Sequence, residues 1–145
     1  MRKLVALIVA VAAGALAVAS LTGAATRATV WTATLASGQE IPKQVVKDTA
    51  ANGRFTATLK SSKLTWKLTF AKLTGPATAA HIHMGAMGKA GNVVVPLCGP
   101  CKSPVSGTAT LPAAVKAAFA KHLLYVNVHT AKNPNGEIRG QLAAG

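Results

Sequence analysis

The chain has 145 residues, and 16 Lys plus Arg stand against only three acidic side chains, for a net charge of +13. The acids, Glu40, Asp48 and Glu137, are too few and too dispersed for the paired carboxyls of a glycosidase or the oxygen cage of a calcium site. So positive a balance favours anionic surfaces such as a lipid face or a wall polymer.

Met1-Arg2-Lys3, the apolar run from Leu4 to Val18 and the small residues Ala17 and Ala19 have the anatomy of a secretory signal peptide, with a second candidate cleavage region near Ala24-Ala25. The run is shorter than the roughly 20 residues of a membrane-spanning helix. Residues 1–25 are therefore expected to be a cleaved signal helix and residues 26–145 one β domain. The expected location is secreted or extracytoplasmic, in the cell envelope or outside it. That location, together with lysines spread along the chain rather than blocked among aromatics, argues against nucleic acid. The expected partner is an anionic envelope component, with a protein partner also open.

Beyond residue 25 the chain reads as short strands between turn signals. Thr29 to Leu35, Arg54 to Lys60 and Lys63 to Phe70 alternate apolar and polar residues, the signature of half-buried antiparallel strands. Trp31, Ala33 and Leu35 form one such apolar face, and Leu64, Trp66, Leu68 and Phe70 another. Ser37 to Ala51 reads as a long polar connection and Ser61-Ser62 as a turn. Further strands are expected at Ala79 to Met84, Val93 to Val95, Gly107 to Leu111, Leu124 to Thr130 and Glu137 to Leu142. Pro112 to His122, with Pro in the first turn and Ala113, Ala114, Ala117 and Ala118 as good helix formers, is the one helical candidate, and His122 suits its C-terminal end. Asn133-Pro134-Asn135-Gly136 is a hairpin signal. Seven or eight strands with one short helix predict an all-β, antiparallel Greek-key sandwich or barrel.

Ala80-His81-Ile82-His83, Leu124-Tyr125-Val126-Asn127-Val128-His129-Thr130 and Asn133-Pro134-Asn135-Gly136-Glu137-Ile138-Arg139-Gly140-Gln141-Leu142 together resemble the CHRD (chordin-type) domain, over roughly Val30 to Leu142. The resemblance implies an immunoglobulin-like or Greek-key β domain without an established catalytic role. The function it implies is a non-catalytic binding or structural module. The Cys98-Gly99-Pro100-Cys101 segment is not part of that resemblance.

His81 and His83, two apart on a strand, project from one face and can reach one ion. The last hairpin would bury Val126, Val128, Ile138 and Leu142, and so gather Asn127, His129, Glu137, Arg139 and Gln141 on its polar side. Should the two strands be neighbours, His81, His83 and His129 form a candidate copper or zinc site, with redox or copper handling as a possible role and Met84 or Met87 as soft ligands. The alternative is a structural network of the same histidines with Asn127, Thr130 and a Glu137/Arg139 pair.

Cys98 and Cys101 match the thioredoxin tetrapeptide. They precede Lys102-Ser103-Pro104 rather than a helix, so a short-loop disulfide is expected and thiol exchange is the alternative. No G-x-S-x-G elbow, phosphate loop or dinucleotide fingerprint occurs, and no enzymatic activity is expected.

Overall fold

Period-two alternation decides which side of each strand is dry. In the computed structural model, which describes residues 27–43 and 50–145, Trp31, Ala33 and Leu35 are buried while Thr32 and Thr34 face outward on β1 (Thr29–Ala36). The expected signal segment lies outside the described residues. β2 (Asn52–Lys60) and β3 (Lys63–Ala71) repeat the pattern, with Phe55 stacked on Trp66 at a centroid distance of 6.3 Å. β4 (Ala77–Met84), β5 (Val93–Cys98), β6 (Val105–Thr110), α1 (Ala113–Ala120), β7 (Leu124–Thr130), β8 (Ile138–Gln141) and the two-residue β9 (Ala143–Ala144) follow.

Among the described residues these nine strands form one antiparallel sheet in the order β5-β4-β7-β8-β1-β2-β3-β6, with β9 paired to β1. The sheet curls into a nearly closed barrel, so the expected all-β architecture takes its barrel form. β5 and β6, consecutive in the chain, are the two edges of the sheet. Cys98 ends β5 and Cys101 follows in the connection to β6; the two are joined by a disulfide as expected, and the Cys101 N–H donates to the carbonyl of Ala77 on β4. A short-loop bridge of this kind contributes about 2 kcal/mol, and here it pins the link that carries the chain from one edge to the other.

The helix buries Val115, Ala118 and Phe119, and Phe119 meets Trp31 edge to face at 5.0 Å. Its end is a Schellman closure. His122 takes a left-handed φ of 55° and donates to Phe119 O, and Leu123 donates to Ala118 O.

The decisive departure from simple alternation is β7, in which all seven residues are buried. Leu124, Val126 and Val128 enter the apolar core. Tyr125, Asn127 and His129 point the other way, and there they are covered by the turn after β1, the loop between β4 and β5, and the loop between β7 and β8. The expected polar side of the hairpin is thus a second, polar interior rather than a solvated surface.

Candidate metal centre

β4 and β7 are neighbours, and their register builds the site. His81 lies opposite Asn127, His83 opposite Tyr125, and His129 opposite Ala79. His81 and His129 are therefore diagonal neighbours on one face, within reach of each other's side chains. One ring nitrogen from each of His81, His83 and His129 lies within 4.8 Å of the others. The closest pair is His81 Nδ1 and His129 Nε2, at 3.2 Å. His83 and His129 are buried, and His81 is half-buried at the mouth of the group.

Hydrogen bonds to backbone carbonyls fix two of the rings. A carbonyl only accepts, so His83 Nδ1, 3.0 Å from Gly91 O, and His129 Nδ1, 3.0 Å from Pro134 O, each carry the proton. Both Nε2 atoms then hold free lone pairs. His129 Nε2 accepts from His81 in the absence of metal, whereas His83 Nε2 is buried with no hydrogen-bond partner. Carbonyls that orient the far nitrogen of a histidine are the usual outer support of metal-ligating imidazoles.

All three rings are held neutral. Burial, opposed by the Pro134 hydrogen bond and reinforced by the neighbouring His81 and His83, pushes His129 down to about 4. Burial also lowers His83, which Arg139 lowers further against the pull of Gly91. His81 is lowered by burial and by His83.

The surroundings lock the ring positions. His83 stacks on Tyr125 at 4.9 Å, and the Arg139 guanidinium sits 3.5 Å from the centroid of the same ring. Arg139 also donates to the carbonyls of Ala86 and Lys89, and the Tyr125 hydroxyl bridges to Gly91. Gly91 is required here, because a Cβ would collide with the backbone of Met84.

Glu137 is not beside the histidines, contrary to the hairpin expectation. It precedes β8 and turns toward Thr130, at the end of β7. Its carboxylate accepts from the Thr74 N–H and hydroxyl and from the Thr130 hydroxyl, each at 2.6 Å, and from Asn133 at 3.0 Å. Burial pushes this carboxyl up, but the hydrogen bonds from Thr130, Thr74 and Asn133 outweigh it and leave it below its usual value. Glu137 ties the β3–β4 loop to the end of β7 and the β7–β8 loop, and the pairing expected with Arg139 gives way to separate partners for each.

The carboxylate that does approach the site is Glu40, which the sequence placed only in a polar connection. It follows a 3-10 turn at Ser37–Gln39 and is 1% exposed, and its Oε2 accepts from Asn127 at 3.3 Å. Burial raises it to about 7 despite Asn127 and Arg139. Its one sequence signal was rarity, as one of three acids in a basic chain. Gly136, at a φ of 129°, leaves room for this contact, because a Cβ there would strike both Asn127 and Glu40.

Met84 is also displaced from its expected role. It follows Ala80 and Ile82 on the core side of β4 and packs against the core, while Met87 is 79% exposed in the next loop. A cavity of about 540 Å³ opens elsewhere, between Phe70, Leu73, Pro76 and Ser103, and no histidine lines it.

No curated protein and no solved structure matches the chain. The family model of the CHRD domain matches residues 31–142, which include every element of this site, and the chain belongs to the CHRD domain family.

Proposed function

We propose that this protein is an exported, non-catalytic binding module that holds one copper or zinc ion on His81, His83 and His129. CHRD membership supports a binding or structural module. Two observations carry the metal reading: His83 Nε2 is a buried lone pair without a partner, and one ring nitrogen from each of the three histidines lies within 4.8 Å of the others. An orphaned buried acceptor is costly in a purely structural network, and a cation satisfies it.

The donor set sorts the metals. Three neutral imidazoles with no thiolate or carboxylate suit Zn(II) or copper rather than calcium or magnesium. Bonds of about 2.0–2.1 Å place tetrahedral ligands roughly 3.3 Å apart, so the closest pair already fits and the widest must contract. Binding replaces the His81–His129 hydrogen bond, with His81 moving its proton to Nε2. A bound copper would give the module a copper-handling or redox role.

The test is calorimetric titration of the purified protein with Cu(II) and Zn(II), beside a His81→Ala/His83→Ala variant. One-to-one binding below micromolar that the variant loses is expected. A protein that binds neither ion, with a variant that is merely less stable, would leave the histidines as scaffold.

A further inference from the structure

A second feature of the surface is independent of the histidines. The outer faces of β2 and β3 carry Arg54, Thr56 and Thr58 directly opposite Thr69, Lys67 and Thr65. The ladder ends at Lys60 opposite Lys63. β1 extends the face with Thr32 and Thr34, and β6 extends it with Ser106 and Thr108. Large apolar side chains are missing from this array apart from Val30 at its border.

Among the described residues no acidic side chain opposes the charge on this face. The chain has three acidic side chains, and the two among the described residues, Glu40 and Glu137, are 1% and 0% exposed. No acidic side chain among the described residues therefore reaches the surface to neutralise the ladder. The cations sit at its two ends. Arg54 and Lys67 are diagonal neighbours at one end, and Lys60 and Lys63 face each other at the other. The pair Thr58–Thr65 and the hydroxyl of Thr56 lie between. At about 3.3 Å per residue, Lys63 and Lys67 stand roughly 13 Å apart along the strand.

Three shallow depressions run in series along this ladder, of about 260, 330 and 350 Å³. Neighbouring depressions share Thr56 and Lys67, then Thr58 and Thr65. The surface is therefore a continuous track rather than a closed pocket.

We propose that the outer face of β2 and β3 binds a linear polyol-phosphate polymer laid along the strands. Paired cations from two strands match the two diverging free oxygens of a phosphodiester. Threonine hydroxyls between the pairs match the hydroxyl-bearing units that separate successive phosphates. A bilayer fits less well, because the face offers no apolar side chains to insert. Single-stranded nucleic acid fits less well too, because no Phe, Tyr or Trp side chain is exposed among the described residues for a base to stack on.

The test measures binding of poly(glycerol phosphate) to the purified protein by calorimetry across a salt series. Arg54→Gln/Lys67→Gln should weaken binding about tenfold and lower the salt slope by roughly one to two units. Lys102→Gln/Lys132→Gln removes the same charge from exposed positions off the face and should change affinity less than about twofold. Thr58→Val/Thr65→Val, which keeps the branched shape and the charge, should lose affinity severalfold at an unchanged slope. Equal losses in the two charge variants would overturn the proposal, since net charge alone would then explain binding. Binding of phosphatidylglycerol–phosphatidylcholine vesicles, or of a polyuronate of equal charge, as tight as that of the phosphate polymer would overturn it as well. His81→Ala/His83→Ala should bind the polymer normally, which keeps this outcome separate from that of the metal titration.

Discussion

Glu40 Oε2 accepts a hydrogen bond from the Asn127 amide at 3.3 Å, joining the first loop of the domain to the strand that carries His129. The contact places a buried carboxyl, raised by desolvation to about 7, against the polar face of β7 that also carries His129.

That carboxyl sets one pH dependence. Its folded value lies above its unfolded one, so its contribution is fully present below about 4.5 and is lost as the pH rises through about 7. Glu40→Gln keeps the shape and a hydrogen-bonding amide without the charge. The variant should be close to wild type at pH 5 and more stable by about 2 kcal/mol at pH 8, as read from urea midpoints at the two pH values. A variant less stable at pH 8 would show that the charge is needed.

The histidines set the opposite dependence. His129, at about 4 in the fold, binds fewer protons than in the unfolded chain, so its contribution is present above about 6.5 and is lost as the pH falls toward 4. The same protons compete with metal. Zn(II) affinity should be nearly flat from pH 8 to 6.5 and should fall steeply toward pH 4. Affinity that already halves between pH 8 and 7 would point to ligands of ordinary basicity instead.

Glu137 is a stability residue. Glu137→Gln removes an acceptor oxygen from a carboxylate that takes four hydrogen bonds, and it turns a donor toward the Thr74 N–H or the Asn133 amide, each of which donates to it. The expected loss is about 2–3 kcal/mol, with metal affinity per folded molecule unchanged. A metal affinity that drops with the stability would place Glu137 in the site after all. In the wild type this carboxyl adds a loss of stability below about 4.5, because its folded value is lowered.

Ser61 holds a φ of 56° in the tight turn between β2 and β3. A side chain there strains the backbone and glycine does not, so Ser61→Gly should raise stability by about 1 kcal/mol. Thermal unfolding checks it, and an unchanged or lower midpoint would show that the turn gains more from the serine than it loses to strain.

The sequence by itself determined eight of the nine described strands, all but the short β9, together with the helix, the family and the disulfide. These depend on local rules: alternation in Leu64, Trp66 and Leu68, backbone tolerance in Asn135-Gly136, and the short reach between Cys98 and Cys101. It also determined that His81 and His83 share a face, since that needs only the two-residue repeat of a strand.

Tertiary structure decided what lies on the far side of β7. Alternation assigns Asn127 and His129 to a polar side, and three loops from distant parts of the chain then bury that side. Glu40 arrives from 87 residues away, Gly91 and Pro134 supply the carbonyls that set the imidazole protons, and Glu137 leaves for Thr74 and Thr130. Local pattern carries no information about which loop closes over a strand. That choice is made by the hydrogen bonds a buried polar face must find, and those partners exist only once the barrel has formed.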